Sequence, residues 1–501
     1  MPPVVSLVVA HAASCATVAP AKGSASASGV AQEGIAEARA HAHACRDPTG
    51  GALFSMHSND RPLLFGAIDG RLHTGRRFGI LPDDLLRHMH VIGRTGVGKS
   101  VLLEHLAVGA AELGMGVGVI DPHGELAERV LALLPRARTN DVIFLDAAER
   151  ARPLGWNPLE HATPAERPLV ASQVLGAFKK VFPDAWGPRL EHVLRNTLLA
   201  LLEVPDATLL GAVRLLIDES FRARVVARVR DPLVRVFWTQ EFARYPTGFQ
   251  AEVLAPVQNK LAAALTSPPL RAILGQRHST VTAGEILRER RLFIASLSKG
   301  VLGEDGTAML GAALVASFQS AAYRRASLPP EERHPFLLVV DEFASFTTEA
   351  FASMLSEARK FGLGLVLAHQ HMAQLDGALA SAVLGNVGSL VAFRVGAEDA
   401  ATLAQEFAPE LSAADLVRLA RHQVVVRLAV RGLTTRPFTA TTLPPREVGE
   451  PRRALLQRLT AERYGRDRDD VEREAMEDLG VAPPPPMPAS RGPANLRLDL
   501  R

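Results

Sequence analysis

An eight-residue run at 93–100, with the sequence GRTGVGKS, constrains this chain more than any other feature. It matches the pattern G-x-x-x-x-G-K-[ST], in which glycines let backbone N–H groups curl around phosphate oxygens. A strand-like segment over 89–93 precedes the run, and a helix-like segment over 99–113 follows it. Because phosphate-binding loops join a strand to the N-terminus of a helix, this context favours such a loop (P-loop) over an ordinary glycine-rich turn.

Two side chains at the end of this loop carry its chemistry. Lys99 can reach the β- and γ-phosphates of a nucleoside triphosphate, and the Ser100 hydroxyl can bind Mg²⁺. The expected cofactors are therefore ATP and Mg²⁺. The predicted nucleotide-binding residues are Gly93, Thr95, Gly96, Val97, Gly98, Lys99 and Ser100.

An acidic pair follows the apolar run FLLVV at 336–340. Asp341 is predicted to hold Mg²⁺ through water, and Glu342 to polarise the water that attacks the terminal phosphate. The alternative is that Glu342 merely faces solvent at a strand end. Because two carboxylates at the end of a buried strand are costly without a cation, the catalytic interpretation is favoured.

Strand-like and helix-like segments alternate on both sides of a long helical stretch. Such alternation is typical of βαβ units on a parallel sheet, so an α/β fold with a mainly parallel central sheet flanked by helices is predicted. The segment 423–432 is predicted as an edge hairpin strand. The other strand-like segments cover 89–93, 117–121, 141–146, 292–297, 336–341, 363–368 and 389–393.

The two predicted nucleotide motifs are widely separated. Lys99 and Asp341 lie 242 positions apart, and the segments 117–121, 141–146 and 292–297 fall between them in sequence. We expect these strands to lie between the two motifs in the sheet as well. Extra strands and a glutamate beside the magnesium aspartate are features of motor-type ATPases rather than of switch GTPases.

The residues between about 160 and 290 have a different character. Apolar residues recur every three or four positions from Leu190 to Leu202, which predicts one apolar helix face. Prolines separate further short helices, and no strand-like alternation is visible. We therefore predict an all-α insertion. Its arginine and aromatic residues between 187 and 260 could contact DNA, but packing within the insertion is the favoured interpretation.

Three more polar residues stand at the ends of predicted elements. Gln370 could sense the γ-phosphate or orient water, the alternative being a loop glutamine. Arg359 could reach phosphates held by a neighbouring subunit as an arginine finger, the alternative being a solvated helix end. Both are expected on the same side of the sheet. Asp121 ends a strand expected beside the P-loop strand, and could cap the next helix or support the magnesium shell.

Composition excludes several classes of function. The 47% hydrophobic and 22% charged content is that of an ordinary globular protein. The only cysteines are Cys15 and Cys45, which excludes a disulfide-framed secreted domain. The net charge of +3 permits contact with nucleic acid without arguing for it. No long uncharged apolar run or signal peptide is evident, so a cytoplasmic protein is expected, at most held at a membrane by a partner.

Five runs in a fixed order between about 78 and 445 resemble the HerA/FtsK superfamily of DNA-pumping ATPases. Within it, the chain is most similar to soluble relatives of the TraG/TraD conjugative coupling proteins of type IV secretion. The runs are GRTGVGKS, VIDPHGEL, VDEF, SEARKFGLGLVLAHQ and GNVGSLVAFRVGAEDA.

The resemblance implies a RecA-like motor core in a homo-hexameric ring, with ATP bound between subunits and DNA in the central channel. Relaxase or secretion-channel proteins are the implied partners. The P-loop residues keep the roles given above, and Asp341 and Glu342 become the magnesium and water-activating pair. Gln370 matches the family's glutamine after a strand. Arg359 matches the trans-acting arginine, with Arg394 as a second candidate.

The chain differs from the family in two respects. Membrane-anchored coupling proteins carry N-terminal transmembrane helices, and none is expected here. HerA-type proteins carry an N-terminal β-barrel, for which residues 51–85 are too few. An ATP-driven DNA translocase is the predicted function. The alternatives are an ATP-dependent recruitment factor that does not pump DNA, and a solitary ATPase without motor function.

The predicted organisation has five parts. Outside the ATPase domain we expect a disordered extension at one end and a charged, proline-rich tail, mostly solvated and mobile, at the other. The parts are the extension over 1–50, the first half of the RecA-like ATPase domain over 51–160, the all-α insertion over 161–290, the second half over 291–445, and the tail over 446–501.

Overall fold

The computed structural model describes residues 61–69, 74–160, 162–348 and 351–482. The predicted disordered extension, with both cysteines, lies outside the described residues. So does the end of the chain from residue 483, which includes most of its proline-rich segment.

Within the described residues, thirteen strands form two sheets. The strands are β1 (Leu63–Ile68), β2 (Arg77–Ile80), β3 (Met89–Ile92), β4 (Gly116–Asp121), β5 (Val142–Asp146), β6 (Leu292–Ser296), β7 (Phe336–Val340), β8 (Leu363–His369), β9 (Ser389–Ala392), β10 (Gln423–Arg427), β11 (Ala429–Val430), β12 (Leu433–Thr434) and β13 (Phe438–Thr442). The large sheet has the order β2-β1-β13-β10-β9-β3-β8-β7-β4-β6-β5, and β11 pairs only with β12.

Strand direction divides the large sheet into two parts. The seven neighbouring strands from β9 to β5 are parallel. The other four strands, β10, β13, β1 and β2, join antiparallel beyond β9. The predicted α/β class with a mainly parallel sheet is therefore confirmed.

Helices cover both faces of the sheet and build the region between β5 and β6. They are α1 (Pro82–Leu85), α2 (Lys99–Glu112), α3 (Glu125–Leu133), α4 (Arg167–Val181), α5 (Pro188–Leu201), α6 (Leu209–Ile217), α7 (Glu219–Val226), α8 (Pro232–Val236), α9 (Thr247–Leu265), α10 (Pro268–Leu274), α11 (Ala283–Arg288), α12 (Lys299–Arg324), α13 (Phe351–Glu357), α14 (Gly377–Asn386), α15 (Ala397–Phe407), α16 (Ala413–Arg418), α17 (Arg453–Tyr464) and α18 (Arg468–Leu479).

The central strands are continuous apolar runs because both of their faces are covered. Every residue of β3, β4, β7 and β8 is buried. Helix α2 packs on one face, against β1, β4 and β7. On the other face, the ring of Phe318 in α12 lies 5.6 Å from the rings of Phe336 and Phe293. Burial of these aromatic rings fixes α12 against the sheet.

The region between β5 and β6 is helical, as the fold prediction requires. Its described residues, 162–290, form helices and turns but no strand. Phe237 and Trp238 are buried there, with ring centroids 4.9 Å apart, and the Trp238 indole N–H donates to the carbonyl of Asn196. These two aromatic residues therefore pack the helical region, as the favoured interpretation predicts.

The order of the central strands corrects two predictions. A single strand, β8, separates β3 from β7, whereas β4, β6 and β5 lie beyond β7. Asp121 therefore ends a strand next to β7 and β6, not next to the P-loop strand. The error arises because crossover connections can place consecutive strands several positions apart in a parallel sheet.

The antiparallel part of the sheet corrects a third prediction. β10 lies between β9 and β13, so the segment 423–432 begins as an internal strand and not as an edge hairpin. β2 and β5 are the edges of the large sheet. β1, β2 and β13 were not predicted from the sequence.

The expectation of a mostly solvated tail is wrong for its two helices. Helix α17 packs against β5 and α3, and α18 packs against α6 and α10. Leu456 and Val471 are buried in these contacts. The Arg453 guanidinium also donates to the Asp146 carboxylate over 2.9 Å.

One helical segment of the described residues, Lys299–Ser327, is long and apolar enough to cross a membrane. It contains α12, and 61% of its most apolar window is buried inside the fold. Its apolar character is accounted for by its packing on the sheet.

Candidate functional site

The P-loop connects the end of β3 to the start of α2. Gly96 and Gly98 have φ angles of 75° and 121°, which side chains other than glycine rarely adopt. A Cβ atom at Gly93 would lie 2.5 Å from the Cβ of Phe393, so bulk is excluded there as well. The three glycines therefore allow the tight curl that directs backbone N–H groups inward.

Lys99 lies within this curl. Its side chain is 7% exposed, and Nζ donates to the carbonyls of Gly93 (2.5 Å) and Arg94 (3.1 Å). Burial lowers the pKa of Lys99, while the carboxylates of Glu342 and Asp341 act in the opposite direction. The ammonium group is thus held inside the loop with the acidic pair as charged neighbours, and Ser100 is exposed beside it.

The acidic pair lies at the carboxyl end of β7, where both residues are only 7% exposed. Glu342 has a left-handed backbone, with φ of 46°, and its N–H donates to Oδ1 of Asp341 over 3.0 Å. Burial raises the pKa of Asp341 to about 7, with Asp121 and Glu342 adding to the effect and Lys99 opposing it. This edge of the sheet therefore concentrates negative charge that favours a cation.

Gln370 connects the P-loop with the acidic pair. Its Oε1 accepts a hydrogen bond of 2.8 Å from the Thr95 hydroxyl, and its Nε2 donates one of 2.6 Å to Oε1 of Glu342. Because β8 lies between β3 and β7, the residue that follows it can contact both motifs. The structure thus brings together the P-loop, Asp341, Glu342 and Gln370.

Asp121 caps a helix. Its two carboxylate oxygens accept from the backbone N–H groups of His123 (2.8 Å) and Ala127 (2.9 Å), at the start of α3. Its negative charge also raises the pKa of Asp341. Of the two alternatives left open by the sequence, the structure shows the capping role.

Arg359 does not lie on the same side of the sheet as Gln370, so that expectation is wrong. The exposed Arg359 precedes the amino end of β8, whereas Gln370 follows its carboxyl end. Seven residues of strand separate the two ends by about 20 Å. The helix of a parallel crossover returns the chain to the amino edge, so Arg359, which follows α13, lies there.

Arg394 lies at the opposite, carboxyl edge. Its carbonyl accepts from the backbone N–H of Arg94 over 3.1 Å, and it is exposed beside its own P-loop. The two candidate arginines therefore lie at opposite edges of the sheet.

Sequence reasoning missed a buried histidine pair beside the site. The Nε2 atoms of His90 in β3 and His369 in β8 are 2.7 Å apart, and both residues are fully buried. Burial lowers the pKa of both, for His369 to about 3, so one neutral ring donates to the other. The ring of Phe343 packs edge-on against His369 at 5.0 Å. A polar residue within each apolar run is the signal that could have indicated this pair.

The oxygen ligands of the site suit magnesium. In the described part of the chain, no group of three or more His, Cys, Asp and Glu side chains is arranged to hold a metal ion. Mg²⁺ usually needs only one or two carboxylates, together with waters and substrate phosphates. The buried Asp341 carboxylate and the exposed Ser100 hydroxyl provide oxygen ligands that fit that requirement.

A strand–P-loop–helix unit and an acidic pair, on two strands that have a single strand between them, define the class: the fold is that of a P-loop NTPase. Residues 79–422 match the family model described as the type IV secretion-system coupling protein DNA-binding domain. The chain belongs to this family of coupling proteins, and the resemblance noted from the sequence is confirmed.

Solved structures show the same fold. The unbound bacterial conjugative coupling protein TrwBdeltaN70 is 18% identical, with a TM-score of 0.54 over 75% of this chain and 88% of that chain. The plasmid coupling protein TrwB in complex with ADP and Mg²⁺ is also 18% identical, with a TM-score of 0.54 over 74% of this chain and 89% of that one. Comparison with curated proteins gave no match.

Proposed function

We propose that this protein is an ATP-hydrolysing motor that translocates DNA as a homo-hexameric ring. One observation carries the proposal: hydrogen bonds run from Thr95 in the P-loop through Gln370 to Glu342. A nucleotide γ-phosphate at the P-loop would lie beside this connection. The site could then convert the presence or loss of that phosphate into a displacement of β8.

The residues of the site have separate roles in the proposed hydrolysis. The P-loop N–H groups and Lys99 bind the phosphates, and Ser100 and Asp341 hold Mg²⁺. When bound, Mg²⁺ neutralises the charge that develops on the phosphate oxygens. Glu342 orients and polarises the attacking water, and Gln370 fixes the position of the Glu342 carboxylate. The relative TrwB, whose structures include a complex with ADP and Mg²⁺, supports this choice of cofactors.

Arg359 acts on the neighbouring subunit in this proposal. It lies at the amino edge of the sheet, away from the nucleotide site of its own chain. A ring that sets the amino edge of one subunit against the carboxyl edge of the next would deliver this guanidinium to bound phosphate. Arginine fingers supplied in trans stabilise the charge of the transition state in this way.

DNA is the proposed substrate of the motor, because the family model that matches residues 79–422 is a DNA-binding domain. Contacts in a ring channel would be directed mainly at phosphates and would weaken with salt. Relaxase or secretion-channel proteins are the proposed partners. We propose a cytoplasmic location, with association at the membrane through such partners.

ATPase activity with and without DNA tests the proposal. The purified chain is assayed with Mg²⁺-ATP alone, with single-stranded DNA and with double-stranded DNA, and Glu342→Gln serves as the inactive control. Stimulation by either DNA, reduced at higher salt, is expected. An ATPase rate that neither DNA changes would contradict the motor and favour the ATP-dependent recruitment factor.

A further inference from the structure

His422 contacts the P-loop from the side opposite the acidic pair. It immediately precedes β10, which pairs with β9, and β9 is the neighbour of β3 away from β8 and β7. The backbone N–H of His422 donates to the carbonyl of Val97 over 3.0 Å. A Cβ atom at Gly98 would lie 2.8 Å from Nδ1 of His422, so the imidazole ring lies directly against the loop.

The backbone holds this ring in place. His422 has a left-handed φ of 68°, which histidine adopts more readily than most residues. Its carbonyl accepts from the N–H of Thr442 in β13 over 2.9 Å, so both of its peptide groups are bonded. The side chain is half-buried, and no residue of the described chain forms a hydrogen bond with its ring nitrogens. A positioned imidazole with free nitrogens therefore lies at the rim of the phosphate loop.

We propose that His422 binds the nucleoside half of the bound nucleotide, by a hydrogen bond between its imidazole and a ribose hydroxyl. The proposal rests on the proposed function, which directs the terminal phosphate toward Glu342 and Gln370. A triphosphate in that orientation extends its sugar to the other side of the P-loop. His422 lies on that side.

The test compares a ligand that has a nucleoside with one that lacks it. Binding of Mg²⁺-ATP and of Mg²⁺-tripolyphosphate is measured by calorimetry for the full chain and for His422→Ala and His422→Gly. Both variants are expected to bind ATP about five- to tenfold more weakly, the effect of one lost hydrogen bond. Tripolyphosphate binding should change by less than about twofold. His123→Ala, which removes an exposed histidine two residues after β4, is the matched control.

Three outcomes would overturn the proposal. Equal weakening of ATP and tripolyphosphate would mean that the ring only supports the P-loop. Full ATP affinity in the glycine variant, with a loss in the alanine variant alone, would assign the effect to the left-handed backbone. Unchanged affinity for both ligands would exclude a contact. A wild-type chain that binds neither ligand would instead contradict the proposed function itself.

Discussion

Nε2 of Gln370 donates a hydrogen bond of 2.6 Å to Oε1 of Glu342, and so joins the residue after β8 to the acidic pair after β7. Removing this donor leaves the Glu342 carboxylate buried but without the hydrogen bond that orients it. We expect Gln370→Ala to lower kcat about 10- to 100-fold while the Kd for ATP changes little, because water activation depends on the position of the carboxylate.

Steady-state ATPase kinetics and calorimetry separate these two effects. Gln457→Ala is a matched control, since it removes a comparable glutamine–glutamate hydrogen bond, of 2.9 Å to Glu149, far from the P-loop. A Gln370 variant with normal kcat would show that the connection has no role in hydrolysis.

Lys99→Ala should abolish detectable nucleotide binding. The variant removes the cation inside the P-loop and leaves Asp341 and Glu342 without its charge. A fluorescent ATP analogue measures the loss by titration, and more than about 100-fold weaker binding is expected, because a charge-assisted phosphate contact is lost in a buried site. Lys260 is similarly buried but lies in the helical region, so Lys260→Ala should bind normally. Retained binding by Lys99→Ala would refute the site assignment.

The amino-edge position of Arg359 predicts complementation between subunits. Arg359→Ala and Glu342→Gln are each expected to be inactive alone and to assemble. Mixed together, they should regain part of the ATPase activity, because some interfaces then pair an intact Glu342 with an intact Arg359. Arg394→Ala mixed with Glu342→Gln is the comparison. If Arg394 variants complement and Arg359 variants do not, the trans-acting role passes to Arg394.

Stability should fall as the pH drops from about 6.5 to 4, in part through His88. Burial lowers the pKa of His88 to about 4, against the hydrogen bond to the carbonyl of Leu355, and Arg359 lowers it further. The unfolded chain takes up a proton near pH 6.5, whereas the folded chain does so only near pH 4. The stability that depends on neutral His88 is therefore present above pH 6.5 and is lost on acidification, by about 3 kcal/mol.

His88→Asn removes this titration and tolerates the left-handed φ of 66° at this position. The free energy of unfolding is measured in urea at pH 7 and at pH 4.5. At pH 7 the variant should be less stable than the wild type, and at pH 4.5 the difference between their free energies of unfolding should be smaller. If the difference in free energy of unfolding is the same at both pH values, His88 does not contribute to the pH dependence of stability.

The packing of α17 against β5 and α3 predicts a difference between two adjacent leucines. Leu456 in α17 is 1% exposed, whereas Leu455 is 41% exposed. Leu456→Ala should destabilise the protein by about 2–4 kcal/mol through loss of apolar burial and a residual cavity. Leu455→Ala should cost less than about 1 kcal/mol. Thermal unfolding distinguishes the two, and equal small effects would mean that α17 does not dock on the sheet.

The parts of the site that are formed by residues close together in sequence could be predicted from the sequence. The P-loop follows from its glycines and its strand–helix context, and Asp341 and Glu342 follow from the apolar run before them. Both segments follow a strand, as predicted. Their direct connection through Gln370 is visible only in the fold, because it depends on which strand lies between β3 and β7.

Strand order could not be predicted in the same way. β4 and β8 are both fully buried apolar runs, so hydrophobicity alone gives no reason to place one rather than the other beside β3. β13 pairs with β1 across most of the chain, and its sequence, FTATT, has few large apolar residues and so gives only a weak strand signal. The contact between His422 and the P-loop depends on the pairing of β10 with β9 and of β9 with β3, strands that are distant in sequence, and for that reason the sequence did not indicate it.

The position of β8 between β3 and β7 determines when the site can form during synthesis of the chain. β3 and its loop leave the ribosome early, but β8 and Gln370 follow only after the whole helical region has been synthesised. Until then, the chain contains neither of the strands that pair with β3, because β9 also follows that region, and it lacks the proposed link between phosphate recognition and water activation. The proposed hydrolysis site is therefore completed only late in synthesis.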